Sequence, residues 1–167
     1  MHMHNPNRSR LTSVRLCAAV TLSIIHCCGF AAVRYVDVKS ANPTPPYTNW
    51  AFAAAAIQDA VDAALAGDEI VVTNGNYVNG GRTLDGFTTN RVLVDKPLTL
   101  HSVNGHLFTI IDGTHSFRCA YLTNGAILSG FTLTNGVAQD GGGASGGTLD
   151  NCTLVHNSAV GDWDIPV

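Results

Sequence analysis

Five charged residues stand where strand-like runs would turn them outward: Asp95, Lys96, Asp112, Arg118 and Asp150. Carboxylates with a neighbouring Arg or Lys are what cation binding and proton abstraction require, and two carboxyls roughly 5 to 10 Å apart are what glycosidic hydrolysis requires. Here they are scattered singly. No strand-like run offers two carboxylates at alternate positions, and Asp162 and Asp164 fall in the tail beyond the last run. Each of the five therefore reads as a turn aspartate or a solvated strand charge. Lys96, followed by Pro97, reads as a polar turn into "LTL".

Spacing argues against other chemistries. His101, His106, His115 and His156 have neither His-x-x-x-His spacing nor paired cysteines around them. The glycine-rich "GGGASGG", residues 141–147, lacks the Lys-Ser/Thr and following helix of a phosphate loop. No catalytic, cofactor-binding or metal-ligating residue is assigned on these grounds, and no cofactor is expected.

The elements that would hold these residues begin after an export leader. Arg8, Arg10 and Arg15 form a basic start, Leu16 to Ile25 is a short apolar run, and small residues follow it. That is the layout of a secretory signal peptide, residues 1–31. The run is too short to span a bilayer, which takes roughly 20 residues. Gly29 and Ala31 stand at the small-residue positions, so cleavage is expected after Ala31, with one residue later as the neighbouring alternative. His2, His4, His26, Cys27 and Cys28 would leave with the leader. A lipid anchor at either of those cysteines fits less well, because His26 or Cys27 replaces the small residue that should precede it.

From Ala32 onward the chain carries six Lys or Arg against twelve Asp or Glu, a formal balance of −6. Nothing in that balance attracts nucleic acid or an anionic membrane surface, and no transmembrane helix is expected beyond the leader. Eleven of the acids are Asp, and sixteen glycines accompany them, which suits turns and strands. Only Cys119 and Cys152 remain. One bridge between them and two separate core-facing thiols both fit, and the second is the simpler reading.

Residues 32–69 divide into a short alternating strand, "RYVDV", a proline-rich turn, and "WAFAAAAIQDAVDAALA", which predicts a helix over 50–66. Asn49 or Thr48 would cap its start and Gly67 would stop it. Trp50, Ala53, Ile57, Val61 and Leu65 form its apolar stripe, with Gln58, Asp59 and Asp62 off it, so the helix should cover the chain's own core. Beyond Gly67, over residues 70–160, short β-branched runs end at or near Asn-Gly pairs at 74, 79, 104, 124 and 135, each a ready left-handed turn.

Hairpins also use Asn-Gly, but the spacing argues for a parallel return. "ILSGFTLTNG" is echoed by "TLDNCTLVHN", which sets Leu128 over Leu149, Phe131 over Cys152 and Leu133 over Leu154, 21 residues apart. Repeats of about 20 to 50 residues mark stacked architectures. These pairs become inward columns, and Asn135 beside His156 and Asn157 starts a polar ladder at the turn.

With these residues in hand, the chain resembles right-handed parallel β-helix proteins of the pectate-lyase-like superfamily, in the secreted or cell-surface bacterial branch. The stretches that carry the resemblance are "GDEIVVTNGNYV", "VLVDKPLTLHSVNG", "FTIIDG", "AYLTNGAILSGFTLTNG" and "GGTLDNCTLVHNSA". "LVHNSA", residues 154–159, also looks like the Phe-x-x-Asn-x-Ala repeat of polymorphic outer-membrane proteins, with Leu154 in place of Phe. The resemblance implies an all-β right-handed solenoid of about three coils, its N-terminal end capped by the helix. It also implies a partner class, polysaccharide or cell-surface glycan. The chain is short for that family and its tail, residues 161–167, breaks the repeat, so an incomplete N-terminal piece is expected. Polysaccharide lyases of this fold hold calcium with carboxylates and use Arg or Lys as base. The expected function is a non-catalytic exported β-helix serving as scaffold, in adhesion or in glycan contact. The alternative is the front of a polysaccharide lyase or glycoside hydrolase whose site lies on further coils.

Overall fold

In a computed structural model the chain is described over residue 1, residues 31–84 and residues 86–161. The expected leader and the expected irregular tail lie outside the described residues except at Met1, Ala31 and Gly161.

Strand β1 (Val33–Val36) precedes the only α-helix among the described residues, α1 (Ile57–Ala63). A first round of strands follows: β2 (Glu69–Val72), β3 (Gly75–Tyr77), β4 (Arg82–Thr83) and β5 (Thr89–Val94). The second comprises β6 (Thr99–Ser102), β7 (Thr109–Asp112) and β8 (Arg118–Leu122). The third comprises β9 (Ile127–Ser129), β10 (Thr132–Thr134), β11 (Val137–Ala138) and β12 (Ala144–Ser145), and the last β13 (Thr148–Asp150), β14 (Thr153–Val155) and β15 (Ser158–Ala159).

Apart from β4 with β5, these strands assemble across rounds, not within them. Sheet A has the order β1-β2-β6-β9-β13, sheet B the order β3-β7-β10-β14, and sheet C the order β4-β5-β8-β12, while β11 pairs with β15. Every pair is parallel except β4 with β5. The chain visits A, B and C in the same rotation in the first three rounds and A and B again in the last, an arrangement compatible with a β-helix-like solenoid. No helix among the described residues is long and apolar enough to cross a membrane.

Register makes the core. Alternate residues of each strand point to opposite faces, so one column of sheet A runs inward through Arg34, Ile70, Leu100, Leu128 and Leu149. Sheet B contributes Tyr77, Ile111, Leu133 and Leu154. Leu128, Phe131 and Leu133 are fully buried, a burial that stabilises by about 1.5–3 kcal/mol for each such side chain. Leu149 and Cys152 are half-buried against the same core. Leu154 is 47% exposed, because no strand among the described residues lies beyond β14.

The helix is shorter than its propensity predicts. Trp50–Phe52 is a 3-10 turn, capped by the Asn49 side chain, and α1 begins only at Ile57. Between them Ala54 bridges Val36: its amide donates to Tyr35 O at 2.9 Å and its carbonyl accepts from Asp37 N at 2.9 Å. Strand pairing with β1 outweighs alanine's preference for helix there, since tertiary contacts override propensities of under 1 kcal/mol per residue. Of the expected stripe, Ala53, Ile57 and Val61 are buried, whereas Trp50 and Leu65 are exposed.

Asn-Gly pairs do not all turn in the same way. Gly80, Gly105 and Gly125 adopt positive φ, but at 135 it is the asparagine that does so, at φ 53°. At Asn74-Gly75 neither residue does; Gly75 starts β3, and a Cβ there would lie 2.6 Å from Val38 Cγ1.

Candidate functional site

Alternation that sends one column of sheet A inward sends two rows outward. One row comprises Tyr35, Val71, His101, Ser129 and Asp150, and the other Val33, Glu69, Thr99, Ile127 and Thr148. Register partners on adjacent strands are about 4.8 Å apart, so short polar side chains accumulate on one open face. Glu69 Oε1 lies 3.1 Å from His101 Nδ1, with both side chains more than a third exposed. The Ser129 hydroxyl donates to Asp150 Oδ2 at 2.8 Å. At the β1 end of the face, Tyr35 packs against Trp50 with ring centroids 4.4 Å apart.

Chemically this face offers hydroxyl, imidazole, carboxylate and aromatic groups in a line. Its hydroxyl is held by a carboxylate, whereas an activated serine needs a base within hydrogen-bond reach that is itself oriented by a third group. The arrangement thus presents donors and acceptors to a ligand lying along the row. A hollow of about 300 Å³ lies elsewhere, lined by residues that include Phe87, Thr89, Ser116, Gln139 and Val160. Among the described residues its lining carries no charged side chain, in contrast to the face of sheet A.

Of the five charged residues expected to face outward, only Asp150 joins this face. Asp95 and Lys96 pair with each other at 2.9 Å, and Lys96 Nζ also donates to Val61 O near the end of α1, where a cation is favoured. The hydrogen bond from Lys96 holds the Asp95 carboxyl below the usual range, against its partial burial. Asp112 ends β7 and anchors the turn that follows: Oδ1 accepts from Thr114 N at 2.7 Å and from Asn135 Nδ2 at 3.1 Å.

Arg118 contradicts the expectation and is buried. Its guanidinium donates to the carbonyls of Asp140 and Gly141 and, at 3.0 Å, to Asn90 Oδ1, so it serves the long glycine-rich return that has no strand to satisfy it. Arg91 is buried in the same manner. It donates to the carbonyls of Gly80 and Asp112 and to Thr114 Oγ1, with its guanidinium 4.5 Å from the centre of the Phe117 ring.

Cys119 and Cys152 are both free. Burial pushes the Cys119 thiol up to about 11 and the Cys152 thiol upward as well, so neither is a thiolate nucleophile near neutral pH. Cys152 Sγ donates to Leu128 O at 3.3 Å, and Thr153 N donates to Phe131 O at 2.9 Å, which sets Cys152 beside Phe131 one round on.

Asn135 and His156 stand side by side with positive φ at the turn beyond sheet B. Asn157 turns inward. Its Oδ1 accepts from Gly136 N at 2.7 Å and from Cys119 Sγ at 3.5 Å, and its Nδ2 donates to Leu133 O at 2.9 Å. Gly136 must lack a side chain, because a Cβ there would meet the Gly142 carbonyl.

Sequence reasoning missed Glu69, His101 and Ser129 as neighbours. The returns separating Val71, His101, Ser129 and Asp150 have unequal lengths, and only the last follows the visible 21-residue echo. Among the described residues no three His, Cys, Asp or Glu side chains group as a metal site. Comparisons with protein-family models, curated proteins and solved structures return no match to this chain.

Proposed function

We propose that the chain is an exported right-handed parallel β-helix of the pectate-lyase-like kind, and that the outer face of sheet A is a non-catalytic contact surface for polysaccharide or cell-surface glycan. The observation that carries this reading is the aligned outer row Tyr35, Val71, His101, Ser129 and Asp150, in which Ser129 is tied to Asp150 and His101 to Glu69 of the neighbouring row. A repeating ligand of many hydroxyls matches a repeating row of donors and acceptors, and an aromatic at one end suits the apolar face of a sugar ring. The right-handed sense is supported by topology: parallel strands that rejoin their own sheet through a crossover do so right-handedly in about 98% of cases. Export is supported by the leader pattern in the sequence.

Titration calorimetry of the purified chain against a panel of soluble polysaccharides, polygalacturonate included, tests the reading. Binding that weakens about tenfold in Asp150→Ala, the loss of roughly one charged hydrogen bond, is the expected result. Binding unaffected by both Asp150→Ala and His101→Ala sinks the assignment of the face. Release of unsaturated product from polygalacturonate and calcium would replace it with the lyase alternative.

A further inference from the structure

Ala32 lies one residue ahead of β1. Its nitrogen donates to Asp68 Oδ1 at 2.8 Å, and its carbonyl accepts from Glu69 N at 2.9 Å, so the nitrogen is fixed in place. Asp68 is buried at 4% exposure. Its Oδ2 takes two donors, the Arg34 guanidinium and the Leu65 amide, each at 2.8 Å. The hydrogen bond recorded at Oδ1 comes from the Ala32 nitrogen. Ala31, the preceding residue, is exposed and belongs to no strand. The bond between them is the one that the basic start, the apolar run and the small residues Gly29 and Ala31 mark for leader removal.

We propose that Asp68 is a receptor for the processed N terminus: hydrolysis of the Ala31–Ala32 bond by a leader peptidase turns the Ala32 nitrogen into an α-ammonium ion-paired with Asp68. The inference rests on the exported-chain reading and adds to it a site within the fold. In the cleavage, water delivers its hydroxyl to the Ala31 carbonyl carbon and a proton to the departing Ala32 nitrogen. The C–N bond breaks, and the free amine takes a further proton from solvent. One N–H donor becomes three, and a full positive charge replaces an amide dipole 2.8 Å from the carboxylate.

The surroundings accept that charge. Arg34 and Asp68 form a balanced pair, and Glu69, with His101 at its side, lies on the outer surface of the adjoining strand. Ala32 itself is half-buried, so the ammonium keeps water on one side and avoids most of the cost of burying an ion. Asp68 is prepared for it. Burial would raise its carboxyl, but the amides of Leu65 and Ala32 and the Arg34 guanidinium outweigh that and hold it below the usual range.

The test begins with the full chain produced in an exporting bacterial host. Intact mass and N-terminal sequencing of the exported product should give Ala32 as first residue, and any other start overturns the proposal. Titration of the Ala32 amine by NMR should then place it about one unit, or tenfold, above the ordinary α-amino value of about 8, with Asp68→Asn returning it to that value. An ordinary value in the unaltered chain overturns the proposal. Because Asp68→Asn removes the partner of a buried arginine and can fail to fold, a chain with one glycine added before Ala32 provides the second comparison. A raised amine pKa contributes stability that is complete below the unfolded value and lost as pH rises through the folded one. The Ala32-start chain should therefore melt a few degrees higher than the extended chain at pH 7, and the gap should close above about pH 10; equal melting at pH 7 overturns the proposal.

Discussion

The first and last rounds of strands use the same kinds of residue and meet opposite surroundings. At the first end the outer edges of β1 and β5 are met by other groups of the chain. The Tyr35 amide donates to Tyr47 O, and Ala54 bridges Val36 at the end of β1. Gln58 Oε1 accepts from Leu93 N at 2.7 Å while its Nε2 donates to Leu93 O at 3.2 Å. The inward column of sheet A starts there with Arg34, not a leucine, because at the end of a column a cation can reach Asp68 and Pro46 O. At the last round, Leu154 occupies the inward column of sheet B above the fully buried Leu133, yet stands half in solvent. A leucine's contribution is thus set by how many strands flank it and not by its place in the repeat.

Breaking the polar closure of the first end should have the largest effect. Asp68→Ala leaves Arg34 buried and unpaired and is expected to destabilise by about 3–5 kcal/mol in urea unfolding. The same group gives an acid dependence. With its folded value depressed, its contribution is complete above the ordinary carboxylate value of about 4 and is lost as pH falls through the lower folded one. The acid arm of a circular dichroism titration should flatten in Asp68→Asn.

The two stacked leucines sharpen the contrast most directly. Leu133→Ala should cost about 3 kcal/mol, in the range of buried leucine truncations, and Leu154→Ala under about 1 kcal/mol, as for a side chain already half in water. Equal losses would mean that the last round is covered in solution. Smaller still is the comparison of the two carboxamides. Gln58→Ala strands an N–H and a carbonyl of Leu93 and should cost about 2 kcal/mol, and Asn157→Ala, whose bonds to Gly136 and Leu133 lie nearer solvent, about 1 kcal/mol. Ser129→Ala should leave stability within about 0.5 kcal/mol, the usual range for a surface site.

Parallel pairing was legible because residues 127–136 and 148–157 repeat at one spacing, and the structure pairs Leu128 with Leu149 at that spacing. Earlier rounds are longer and unequal, so the outer row through His101 and Ser129 could not be read from letters alone. The alanines at 53–56 favour helix locally, yet Ala54 pairs with β1 in the fold, a contest that only the tertiary contact decides. Arg118 reads as a solvated charge on an alternating strand. It is buried because the carbonyls of Asp140 and Gly141, in a stretch with little regular structure, need donors.

Gln58 closes the edge of β5 with a side chain that offers one acceptor and one donor, the same pair that a neighbouring peptide unit would offer. It is a counterfeit strand one residue long, held rigid on α1. An extended segment from another molecule would have to displace it to pair there with β5, and to displace Ala54 and Tyr47 to pair with β1. Recruitment of foreign strands, the usual hazard of an open sheet edge, is thereby hindered at β1 and β5, whereas among the described residues no strand lies beyond β13 or β14.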